Sequence, residues 1–165
     1  MSINRRKILG LISTAGFAVA CGRRPTADRW PFQMGDLIRC GWFSYNVLEV
    51  EYKSQLGEGA VAKRPQNGYL LIRLQATSAA GATVSIPFLR IESEGGETIP
   101  EVDNASELSN WLGVLRRVEP GATETGWVAF DAVPGAYGLR LSDGVLDDEH
   151  TASVRIPLQI DSKVK

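Results

Sequence analysis

His150 is the only histidine in the chain and closes an acidic run, Asp147-Asp148-Glu149-His150, with Asp143 just before it. With Ser142 and Ser153 on either side, the stretch holds the residue types of a Ser-His-Asp hydrolase. No nucleophile-elbow pattern surrounds either serine. Asp143, Asp147, Asp148 and Glu149 also offer oxygen ligands for a hard cation such as calcium, but they lack the spacing of an EF-hand loop. A solvated acidic loop is the simpler reading. Two Cys, two Met and one His are too few for an evident zinc or copper site. The expectation is a protein that is not an enzyme and carries no cofactor.

The two cysteines have separate chemistry. Met1 to Cys21, MSINRRKILGLISTAGFAVAC, has a basic start, an apolar run from Ile8 to Ala20 and small residues before the cysteine, the plan of a secretory signal. The apolar run is short for a membrane span, which needs roughly 20 residues. Arg5 and Arg6, within Asn4-Arg5-Arg6-Lys7-Ile8-Leu9, resemble a twin-arginine export motif. Ala18-Val19-Ala20-Cys21 looks like a bacterial lipobox, in which the Cys21 thiol takes a diacylglycerol and becomes the first mature residue. The alternative is simple cleavage at an Ala-x-Ala site. Two acyl chains, at about 0.8 kcal/mol per buried methylene, make a stable anchor. Lipidation leaves Cys40 without a partner, whereas an unlipidated Cys21 could form a disulfide with it. Cys40 itself reads as a small buried apolar residue on the first strand.

Charge narrows the partners. The formal net charge is −1, from 18 basic and 19 acidic residues. Removing Arg5, Arg6 and Lys7 with the leader leaves 15 basic residues against 19 acidic ones, so the mature chain is near −4. That balance argues against a nucleic-acid surface or a polybasic membrane patch. The expected partners are the membrane, through the lipid, and another envelope protein.

The elements that position these residues read as β-strands. Gly68 to Thr77 alternates cleanly, with Leu70, Ile72, Leu74 and Ala76 on one face and Tyr69, Leu71, Arg73 and Gln75 on the other, and is expected to be central. Asp36 to Tyr52 is β-rich, with Gly41 dividing it into two short strands or bulging a single one. Leu48, Val50 and Tyr52 are expected on one face. Pro87 belongs at an edge or bulge, and Glu92 to Thr98 forms a hairpin loop around Gly95-Gly96. Asn104 to Gly113, NASELSNWLG, is the single helical candidate, capped by Asn104 and ended by Gly113. Glu119-Pro120-Gly121 makes a turn, Trp127 to Phe130 a strand, and Tyr137, Leu139 and Leu141 another. Ala152 to Ile160 closes the chain, with Val154, Ile156, Leu158 and Ile160 on one face.

Trp42, Trp111 and Trp127 read as core or sheet-face aromatics. Trp30 either packs back on the domain or touches the membrane interface. Lys63-Arg64 is a solvated basic pair. Binding, if local, belongs to the loops Lys53 to Gly68 and Ser142 to His150.

The order Tyr69-Leu70-Leu71-Ile72-Arg73-Leu74, Phe88-Leu89-Arg90-Ile91, Gly95-Gly96, Glu119-Pro120-Gly121, Gly126-Trp127-Val128-Ala129-Phe130-Asp131 and Tyr137-Gly138-Leu139-Arg140-Leu141 resembles the telokin-like, immunoglobulin-like domains of unknown function in bacterial lipoproteins. The immunoprotective extracellular antigen belongs to the same fold group. The resemblance runs from about Gly35 to Ile160 and implies an all-β, immunoglobulin-like antiparallel β-sandwich with one short helix. It carries no catalytic residues to transfer. The expected organisation is a signal peptide at 1–20, a lipidated Cys and tether at 21–35, the sandwich at 36–161 and a tail at 162–165.

Overall fold

A computed structural model describes residues 28–58, 62–147 and 149–158. Ile160, expected on the closing strand, lies outside the described residues. The described chain forms ten strands: β1 Ile38–Cys40, β2 Phe43–Lys53, β3 Tyr69–Ser78, β4 Val84–Ser85, β5 Arg90–Ser93, β6 Thr98–Pro100, β7 Arg117–Val118, β8 Thr123–Asp131, β9 Tyr137–Ser142 and β10 Thr151–Ile156. One sheet has the order β1-β2-β3-β8, a second β10-β9-β5-β6, and β4 pairs with β7. Every strand pairing is antiparallel. The two four-stranded sheets enclose one core, to which Tyr45, Ile72, Leu74 and Phe130 come from the first and Ile91, Leu139, Leu141 and Val154 from the second. The protein is an all-β antiparallel sandwich.

The alternation of β3 sets the layers. Flanked by β2 and β8, it sends Leu70, Ile72, Leu74 and Ala76 into the core between the sheets. Burying its three large residues there contributes roughly 5–9 kcal/mol. Tyr69 and Leu71 point the other way, into a second apolar cluster on the outer face with Leu56, Ala105, Leu108 and Ala129. In β2 the pairing shifts between Val47 and Glu49. Such a bulge moves the inward face by one residue. Val47 is buried, Val50 and Tyr52 pack against the core, and Leu48 is turned outward. The expectation that Leu48 shares a face with Val50 and Tyr52 is therefore corrected for Leu48. Glu119 to Ala122 makes the turn before β8: Ala122 N–H donates to the Glu119 carbonyl at 3.0 Å, and Gly121 has φ 72°, which suits the third position of a Pro-Gly turn.

The helix expected over Asn104 to Gly113 does not form; among the described residues there is no helix. Leu108 N–H donates to the Ala105 carbonyl and Trp111 N–H to the Leu108 carbonyl, so the segment closes as successive four-residue turns. Its apolar stripe is genuine, since Leu108 is buried and Trp111 packs in the second cluster. What defeats the helix is the edge of β8. Trp127 N–H donates to the Asn110 carbonyl at 2.9 Å and Leu112 N–H to the Trp127 carbonyl at 3.0 Å, while a ten-residue helix is marginal alone. Asn104, expected as its cap, instead accepts from Lys63 Nζ through Oδ1 at 2.6 Å.

A buried ion pair joins Glu101, just after β6, to Arg116, just before β7. Arg116 Nη1 donates to Glu101 Oε2 at 3.0 Å, its Nη2 to Glu101 Oε1, and Leu89 N–H to Glu101 Oε2 at 3.0 Å. Both side chains are withdrawn from solvent. The Arg116 guanidinium also stacks 4.7 Å from the Phe88 ring centroid.

The chain before β1 is held against the second sheet. Trp30 is 2% exposed, lies over Gly138 and has the Arg155 guanidinium 5.3 Å from its ring. Phe32 adds a parallel bridge to Val154 on the open edge of β10. Trp30 thus packs back on the domain, the first of its two expected positions.

Candidate functional site

Of the two loops singled out for binding, Lys53 to Gly68 is largely structural. Leu56 is buried in the second cluster and exchanges backbone hydrogen bonds with Lys63 at 2.9 and 2.8 Å. Lys63 pairs with Glu107 at 3.0 Å. Asp131 accepts from the N–H groups of Gln66 and Asn67 at 2.8 and 2.9 Å. The loop is a cover for the outer face of β3 and β8, while Arg64 stays exposed.

Ser142 to His150, joining β9 to β10, is built differently. Both of its ends are tied to the opposite sheet: the Tyr45 hydroxyl donates to the Ser142 carbonyl at 2.8 Å and the Cys40 thiol to the His150 carbonyl at 2.9 Å. Inside this closed loop Asp143 Oδ1 accepts from the N–H groups of Val145 and His150, each at 3.2 Å. Its Oδ2 lies 2.9 Å from His150 Nδ1. The Asp143 side chain is 1% exposed and that of His150 58% exposed.

The electrostatics follow from these contacts. Burial pushes the Asp143 carboxyl up, but the hydrogen bonds from Val145 N–H and from the ring and N–H of His150 outweigh it and hold the group below its ordinary value. An ionised carboxylate only accepts, so the imidazole carries its proton on Nδ1 and turns Nε2 away from Asp143. Burial, followed by the charges of Asp143 and Glu149, raises the Cys40 thiol to about 11. Cys40 is therefore a buried, unreactive thiol, as expected.

Gly41, in the β1–β2 turn, is required twice over. Its φ is 52°, and a Cβ there would meet Asp143 Oδ2 at 1.8 Å. Next to it Trp42 is 49% exposed, its carbonyl held by Ala79 N–H at 2.8 Å. Gly41, Trp42, Asp143, Val145 and His150 line a cleft of about 300 Å³. Trp42 thus departs from the reading of it as a packing aromatic. Trp111 and Trp127 keep that role, packed in the second cluster, and Phe130 is in the core.

Among the described residues, the carboxylates expected as cation ligands are not brought together as a metal-binding group. Asp143 is committed to His150, Glu149 Oε1 accepts from the Ser142 hydroxyl at 2.5 Å, Asp147 is exposed, and Asp148 lies outside the described residues. Among the described residues there is no cluster of three or more metal-ligating side chains. Neither serine completes a triad: Ser142 Oγ is taken by Glu149 and by Gly144 N–H at 2.9 Å, and among the described residues no hydrogen bond joins Ser153 to His150. Arg5, Arg6 and Cys21 lie outside the described residues. Among those residues no helix is long and apolar enough to cross a membrane.

An antiparallel β-sandwich of this kind is met in several bacterial proteins. The yjhA protein from Bacillus subtilis superposes with a TM-score of 0.55 at 13% identity, covering 74% of this chain and 98% of its own. The Bacillus subtilis protein ycdA, described as a lipoprotein, has a TM-score of 0.59 at 9% identity and 78% coverage, and the chain spans 40% of it. The secreted protein MPT63 from Mycobacterium tuberculosis has a TM-score of 0.54 at 10% identity, covering 76% of this chain and 94% of its own. At such identities the shared property is the fold. No family model matches the chain, and no curated protein matches it significantly.

Proposed function

We propose that this chain is a lipid-anchored, extracytoplasmic, immunoglobulin-like accessory module that binds at the Trp42–His150 cleft and catalyses nothing. The cleft carries the binding reading: a half-exposed indole stands beside an imidazole oriented by a buried carboxylate, with the Ser142 hydroxyl engaged by Glu149. Ligand sites are concave and mostly apolar, with a few convergent polar groups, and this one has that make-up. The envelope location is supported by the leader, with Arg5 and Arg6 before an apolar run and Cys21 after it. Among similar folds, one is described as a lipoprotein and another as secreted.

Metabolic labelling with a palmitate analogue tests the anchor: the wild type takes the label and Cys21→Ser does not. An unlabelled wild type would favour a free secreted domain that escorts or inhibits another protein. An activity abolished by His150→Ala in a folded domain would instead make the chain a hydrolase.

A further inference from the structure

The cleft also has features that select a ligand class. Its volume, about 300 Å³, is at the small end of ligand pockets and suits one ring rather than an extended chain. Trp42 offers a flat apolar plate, 49% exposed, and Val145 adds to the apolar lining. The polar contribution is one directed atom. His150 Nδ1 is bound to Asp143 Oδ2 at 2.9 Å, so Nε2 is turned away from the buried carboxylate and, in the neutral ring, accepts a hydrogen bond. Both oxygens of the Asp143 carboxylate are engaged inside the loop, Oδ1 by the N–H groups of Val145 and His150 and Oδ2 by the His150 ring.

We propose that the Trp42–His150 cleft binds a single saccharide ring, stacked by its C–H face on the Trp42 indole, with one ring hydroxyl donating to His150 Nε2. A pyranose combines an apolar C–H face with hydroxyl donors at its edge, which matches an aromatic plate beside one acceptor. The inference rests on the reading of the cleft as the module's binding point. One stacked ring and one hydrogen bond give weak binding, with a Kd of about 1–10 mM.

The test is a nitrogen–proton NMR titration of the purified full chain with glucose, galactose and N-acetylglucosamine, with tetramethylammonium as a cationic control. The expected result is saturable shifts of the Trp42 indole N–H and the His150 backbone N–H with at least one sugar, while the Trp30, Trp111 and Trp127 indoles stay still. Trp42→Ala abolishes the saturation, and His150→Gln weakens it about tenfold; their backbone spectra report that each variant is folded. Absence of saturation with all three sugars, saturation that survives Trp42→Ala, or saturation with tetramethylammonium alone overturns the proposal. A crosslinked envelope partner mapped to the cleft in the absence of sugar shifts would sink the saccharide while leaving the binding reading in place.

Discussion

Asp143 Oδ2 and His150 Nδ1 lie 2.9 Å apart, the carboxylate buried and the imidazole exposed. One buried acceptor therefore orients the side chain that meets solvent. The same carboxylate closes the β9–β10 loop through the N–H groups of Val145 and His150, so the loop's shape and the cleft's chemistry depend on one residue.

Asp143→Asn should destabilise the domain by about 1.5–3 kcal/mol at pH 7, since hydrogen bonds to a charged group are lost. The Asp143 carboxyl is held below its ordinary value of 3.8, so its contribution is fully present above that unfolded-state value. It is lost as pH falls through the lower folded-state value. Urea unfolding between pH 7 and 2 should show the wild-type advantage shrinking only below pH about 4. An advantage that is constant with pH would contradict this.

Removing one partner of the Glu101–Arg116 pair, buried on both sides, should cost about 3–5 kcal/mol, whereas replacing both with apolar residues recovers most of that loss. Thermal unfolding of Arg116→Met, Glu101→Leu and the double variant measures it. A double variant that costs the sum of the two single losses would mean that the pair is not the unit.

Trp30→Ala should cost about 3–5 kcal/mol, the usual loss for a large buried aromatic. Among the described residues its indole N–H has no partner, so Trp30→Phe gives up no hydrogen bond there and should lose less than half as much. Calorimetry of the two variants decides whether the segment before β1 belongs to the cooperative unit.

The Cys40 thiol, raised to about 11 by burial and then by the charges of Asp143 and Glu149, should resist iodoacetamide at pH 8 in the folded protein and react promptly in urea. Rapid alkylation of the native state would contradict its hydrogen bond to the His150 carbonyl at 2.9 Å.

Much of the architecture was legible locally, because the signals were local. The alternation from Tyr69 to Gln75 places β3 and both of its faces, and Pro120-Gly121 marks the turn before β8. Leu48 escaped because a bulge changes the face without changing the composition. The helix expected at Asn104 to Gly113 does not form: its apolar stripe is real, while the competing bonds come from Trp127 on a distant strand. Leu56 lies in a polar loop with no local signal of burial; the surface it covers is made by Leu71 and Ala129. Asp143 and His150 were recognised as chemically able, but under calcium and triad readings. Their pairing needs a closed loop held by Tyr45 and Cys40, and no spacing rule encodes that. Arg116 carried no signal at all, since a buried arginine has the same letter as a solvated one.

Mass spectrometry of the mature N-terminus, on protein purified from its own membrane fraction, tests the anchored-module account most directly. The expected result is a first residue at Cys21 carrying a diacylglyceryl group, with residues 1–20 removed. A mature chain that begins at an unmodified Cys21 or Gly22, or that retains residues 1–20, would contradict it.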